Sequence, residues 1–192
     1  MFWNLPNSLT MARIILIPVF VGVFYLQPNY ITQHIANLLA TAIFGFAAIT
    51  DWLDGYYARK LNQTSAFGAF LDPVADKLMV AAALIMLVEF DRVCALIAFI
   101  IIGREIAISA LREWMSGMGQ RGSVAVAMIG KIKTVMQMVA ILFLLYYDPI
   151  FGISTKTIGE VSIYVAVILT LVSMAYYLKA AWPQMNIHKS QI

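Results

Sequence analysis

The stretch DWLDGYYARKLNQTSAFGAFLDPVADK, residues 51–77, sets four aspartates, Asp51, Asp54, Asp72 and Asp76, inside a chain that is 62% hydrophobic. It is not a polar connection between soluble domains, because the apolar runs before Asp51 and after Lys77 are each long enough to reach far into a bilayer. Charged residues make up 12% of the 192, against roughly a quarter in soluble domains, and the mean hydropathy is +0.84. This composition describes a polytopic membrane protein, expected to form one membrane domain over residues 1–192.

Outward from the aspartates, a requirement of about twenty mainly apolar residues per span predicts six helices, at 8–27, 33–58, 70–90, 93–114, 124–147 and 157–182. The expected fold is an all-α bundle of six transmembrane helices. The first apolar run lacks a basic segment before it and a small-residue cleavage site after it, so it reads as a retained helix. Lys and Arg accumulate beside cytoplasmic helix ends. With an even number of spans, eleven basic residues fall on the side of the termini and only Arg92 and Lys156 opposite. The termini and the four aspartates are therefore expected on the cytoplasmic side. A net charge of +3 suits an anionic membrane surface and gives no reason to invoke nucleic acid.

The single Cys94 excludes an internal disulfide and reads as a buried structural thiol in VCALIAFIII. The eleven methionines read as packing, and His34 and His188 as isolated residues near helix ends.

Asp51 and Asp54 are spaced i,i+3, and Ala58 follows Asp54 by four, so one helix face carries all three. Gly68, Asp72 and Asp76 step by four and share a face if helical, with Pro73 tolerated in a first turn. Two linked helices thus present two carboxylate pairs to each other. An unpaired charge at membrane depth costs roughly 2.5–3.5 kcal/mol on insertion scales, so something cationic is expected among them. Oxygen donors without Cys or His favour Mg²⁺ or Mn²⁺, and four aspartates suit a pair of ions bridging a diphosphate. The plainer alternative is ion pairing with Arg59, Lys60 and Lys77. Gly55, Ala58 and Gly68 either let helices approach closely or leave room for a nucleotide base.

Written as Asp51-x2-Asp54-Gly55-x2-Ala58-Arg59-x8-Gly68-x3-Asp72-x3-Asp76, the stretch resembles the full signature of the CDP-alcohol phosphatidyltransferases, with every position filled. The resemblance spans essentially the whole chain and implies a six-helix membrane bundle with a cytoplasm-facing polar cavity. The segments NLPNSLTMARIILIP near the start, GREIAISALRE at 103–113 and GKIKT at 130–134 resemble the bacterial members that act on glycerol 3-phosphate. That likeness implies a multi-pass protein of the bacterial inner membrane. Its reaction would be attack of the acceptor hydroxyl on the β-phosphorus of CDP-diacylglycerol, expelling CMP.

By the same resemblance, Asp51, Asp54 and Asp72 would hold two divalent ions against the diphosphate, and Asp76 would bind the second ion and act as the base. Gly55, Arg59, Ser65 and Gly68 match positions around the CDP moiety, and Ala58 would border the cytosine. Asn7 and Thr10, i,i+3 on the first helix, either contact that nucleotide or cap the helix. Arg104, Arg112, Lys131 and Lys133 lie at cytoplasmic ends of the fourth and fifth spans, where they either anchor topology or converge on the acceptor phosphate, with Glu105 and Glu113 holding the arginines. The implied partners are CDP-diacylglycerol, glycerol 3-phosphate and membrane lipid, with a homodimer entertained.

Other acceptors, namely inositol phosphate, serine or phosphatidylglycerol, stay open on the aspartate motif alone. An intramembrane prenyltransferase would need two separated aspartate clusters. A cation carrier would leave Gly55, Ala58, Arg59 and Gly68 without a purpose.

Overall fold

A computed structural model describes the chain at residues 5–60, 66–117 and 124–189. Six helices account for nearly all of it: α1 (Leu5–Tyr25), α2 (Gln33–Lys60), α3 (Ala66–Glu89), α4 (Ala95–Gly117), α5 (Val124–Tyr146) and α6 (Thr155–Lys189). Each falls on one expected span. The protein is an all-α membrane protein, and its outward faces carry side chains such as Val19, Ile85, Phe99 and Ile168, each at least half exposed.

Among the described residues, windows apolar enough to cross a membrane occur in three helices, at Ser8–Tyr25, Gln33–Asp51 and Thr155–Lys179. The other three are interrupted by charges in their sequence: Asp72, Asp76 and Lys77 on α3, Arg104 and Glu105 on α4, Lys131 and Lys133 on α5. α3 begins at Ala66, earlier than expected, so Gly68, Asp72 and Asp76 share a helical face. Pro73 then lies inside the helix and not in its first turn, which membrane helices tolerate where neighbours satisfy the freed carbonyl.

Neighbour relations close a ring in the order α1, α2, α5, α6, α4, α3, with α3 also touching α2 and α5 across the interior. The core is filled by Phe20, Phe44, Leu84, Leu87, Ile101, Ile141, Leu144 and Ile163. Without a hydrophobic force between helices in lipid, close packing holds such a bundle together. Gly159 shows how close. A Cβ there would lie 2.6 Å from Leu144 Cγ, so α6 approaches α5 at a point that admits no side chain.

Beyond the end of α3, Arg92 is buried and donates to the carbonyls of Leu144 and Leu145 at 3.0 and 2.9 Å and to Asn37 Oδ1 at 2.6 Å. Its guanidinium lies 4.4 Å from the Tyr147 ring centroid. It thereby satisfies carbonyls that the last turn of α5 leaves without helical partners. Two sequence readings are corrected here. Cys94 is exposed, because it sits in the turn that starts α4 and not on the inner face of the helix. His34 is not isolated: its Nδ1 lies 2.9 Å from Asp148 Oδ2.

Candidate active site

α1 supplies a polar pair that meets the aspartates. Thr10 and Arg13, spaced i,i+3, are both buried on the side that packs against α2 and α3. The Thr10 hydroxyl donates to Asp72 Oδ1. Arg13 Nη1 donates to Asp51 Oδ1 at 2.7 Å, with the arginine side chain 1% exposed and the aspartate 44%. Thr10 therefore faces the aspartates from inside α1 and does not cap that helix. A cation does sit among these carboxylates, but it is Arg13, counted in the sequence only towards topology. The signal was present: an arginine within the apolar run MARIILIP needs an interior partner.

Asp76 lies one helical turn beyond Asp72, within electrostatic reach of Asp51, Arg13, Glu105 and Lys133. Next to it is a void of about 10 Å³ lined by Arg13, Phe44, Ala47, Asp76, Val80 and Met138 among others, close to the least space that admits one water. Gly68 is buried one turn before Asp72.

Asp54, Gly55, Ala58 and Arg59 are helical residues of α2, and Asn7 of α1, but their side chains lie outside the described residues, as does all of Ser65. Among the described residues no three His, Cys, Asp or Glu side chains are grouped closely enough to hold a metal ion. The donor chemistry nevertheless fits a hard cation: Asp51, Asp72 and Asp76 offer carboxylate oxygens, with neither thiol nor imidazole among the residues around them.

A second polar group joins α4, α5 and α6. Lys133 Nζ donates to Glu105 Oε1, and Arg104 Nη1 lies 3.7 Å from the same carboxylate. Arg104 Nη2 donates to Ser173 Oγ on α6 at 2.6 Å. Arg104 and Lys133 are both buried. Topology anchors extend outward along their stems to reach water, and these two turn inward. Arg112 does not join them: eight residues further along α4, it is exposed, as is Glu113. The Lys131 side chain lies outside the described residues. Sequence reading missed Ser173, which lies 69 residues from Arg104 in the chain.

Residues 3–172 match the CDP-alcohol phosphatidyltransferase family. The chain belongs to that family. Among curated CDP-alcohol phosphatidyltransferases, a protein of Pectobacterium atrosepticum is 50% identical over 183 residues, covering 94% of this chain and 96% of the relative. Proteins of Shigella flexneri serotype 5b and of Escherichia coli K12 are each 49% identical over the same shares. All three bear the name CDP-diacylglycerol--glycerol-3-phosphate 3-phosphatidyltransferase.

Proposed function

We propose that this CDP-alcohol phosphatidyltransferase moves the phosphatidyl group of CDP-diacylglycerol to sn-glycerol 3-phosphate, releasing CMP and forming phosphatidylglycerophosphate. The observation that carries the reading is the placement of Asp76, a carboxylate within electrostatic reach both of Asp51 and Arg13 and of the Glu105–Lys133 pair that Arg104 joins. The names of the relatives supply the acceptor. We read all six helices as crossing the bacterial inner membrane, with the termini and the site on the cytoplasmic side, where the basic residues gather.

In this reading Asp51, Asp54, Asp72 and Asp76 would hold two Mg²⁺ or Mn²⁺ ions. When bound, such ions neutralise diphosphate charge and make CMP a tolerable leaving group. Arg13 fixes the Asp51 carboxylate, and Thr10 fixes that of Asp72. Both are thus held in place before substrate arrives. Asn7, Gly55, Ala58, Arg59, Ser65 and Gly68 border the CDP moiety. Lys133 keeps two donors beyond the one on Glu105, and with Arg104 offers them to the acceptor phosphate.

The acceptor hydroxyl then attacks the β-phosphorus. A new oxygen–phosphorus bond forms, the bond to the CMP oxygen breaks, and the hydroxyl proton passes to an Asp76 oxygen, as an alcohol requires of a positioned base. Arg112 and Lys131, at the cytoplasmic ends of their helices, would draw the anionic acceptor inward.

Thin-layer separation of the lipid made from labelled CDP-diacylglycerol and a panel of alcohols tests the proposal. Phosphatidylglycerophosphate from glycerol 3-phosphate alone is the expected product. Equal or greater transfer to inositol phosphate, serine or phosphatidylglycerol would refute the acceptor assignment.

A further inference from the structure

We infer that Ser173, on α6, positions the Arg104 guanidinium for the acceptor phosphate and so sets affinity for glycerol 3-phosphate without touching it. The inference rests on the reading of Arg104 as part of the acceptor site.

Both side chains are buried. The Ser173 hydroxyl gives its proton to the Thr170 carbonyl at 2.9 Å, a local bond of the kind serine makes inside helices. With the proton committed there, a lone pair is left for the 2.6 Å bond from Arg104 Nη2. Two further contacts bound the guanidinium: Glu105 lies 3.7 Å from Nη1, and the Tyr177 ring centroid 6.0 Å from Cζ. Arginine presents its five donors as one rigid fork, so fixing a single nitrogen to another helix fixes the direction of all of them.

Arg104 Nε is buried and has no hydrogen-bond partner among the described residues. A buried donor left unmade is costly, and an anionic oxygen would satisfy it. Lys133, on the same Glu105 carboxylate, is the neighbouring cation. A guanidinium anchored at one end, unpaired at Nε and beside a second buried cation is built to receive an anion. The competing explanation is that Ser173 and Arg104 only staple α6 to α4.

Kinetics of the full chain in lipid–detergent micelles, varying each substrate, separate the two. Ser173→Ala is expected to raise KM for glycerol 3-phosphate by roughly two- to tenfold, the worth of one hydrogen bond, with kcat and KM for CDP-diacylglycerol unchanged. Ser173→Thr keeps the acceptor oxygen and is expected to restore the value. In an Arg104→Ala background the serine change should add nothing, since the two act as a unit. If the alanine variant does not purify, Ser173→Cys, a weak acceptor of similar size, takes its place with the same expected direction.

An unchanged KM, equal loss for both substrates, or a full additional loss in the Arg104→Ala background would overturn the inference. No transfer to glycerol 3-phosphate by the unmodified chain would overturn the proposed reaction, and the inference with it. Normal transfer with a KM unmoved by Arg104→Ala would overturn the Arg104 assignment and the inference, and leave the proposed reaction standing.

Discussion

Replacing Lys133 by methionine removes a buried cation while keeping an unbranched side chain of similar length. The lysine side chain is 2% exposed and its ammonium bonded to Glu105, and the remaining donors are the ones assigned to the acceptor phosphate. A hydrogen bond to a charged group contributes about 1.5–3 kcal/mol, and each 1.4 kcal/mol is about a factor of ten in affinity. KM for glycerol 3-phosphate should therefore rise roughly ten- to a hundredfold, while KM for CDP-diacylglycerol hardly moves. The substitution also strands Glu105, whose side chain is 19% exposed. Its loss is softened by Arg104 at 3.7 Å, so a drop in thermal stability should accompany the change. The double variant Lys133→Met with Glu105→Gln removes both charges. It should recover part of the melting temperature, because the stranded carboxylate is gone although Arg104 loses its counter-charge, yet leave KM for glycerol 3-phosphate high. Steady-state kinetics for both substrates, with thermal unfolding in detergent, decide the matter. Recovery of KM in the double variant, or equal loss for the two substrates, would refute the assignment of Lys133 to the acceptor.

Two further expectations follow from the geometry. Activity should vanish in excess chelator and return with Mg²⁺ or Mn²⁺, and Asp51→Asn or Asp72→Asn should be inactive while still inserting and purifying; full activity in chelator would refute the metal reading. Gly159→Ala places a methyl 2.6 Å from Leu144 Cγ and should destabilise by about 1–3 kcal/mol, the usual cost of overpacking, lowering the melting temperature; Leu144→Ala in the same chain should relieve part of that loss.

The six helices and the aspartate face were legible because both depend on local spacing. Apolar runs marked the spans, and the steps from Gly68 to Asp72 to Asp76 aligned once α3 proved helical from Ala66. What could not be read was the choice of partner. A polar group at membrane depth needs one, but Arg13 meets Asp51 38 residues away, Arg104 meets Ser173 69 away and His34 meets Asp148 114 away. Those pairings follow from which helices the ring brings together, α1 onto α2 and α3 and α6 onto α4, and local periodicity carries no information about that order. The contrast between Arg104 and Arg112 was hidden for a related reason. Position along α4 put it among the cations, whereas the helix turns Arg104 inward and leaves Arg112 exposed.

The central claim is that Asp76 stands between a donor side and an acceptor side and takes the proton that passes as the two substrates react. The most direct measurement uses Asp76→Asn, with equilibrium binding of each substrate and single-turnover release of CMP. Asp51, Asp54 and Asp72 remain to hold at least one ion, and Arg104 and Lys133 are untouched. Both substrates should therefore bind the variant nearly as well as the unmodified chain, while CMP release slows by about a hundredfold or more, the usual worth of a positioned base. Near-normal release would contradict the account, and so would loss of CDP-diacylglycerol binding in step with the rate.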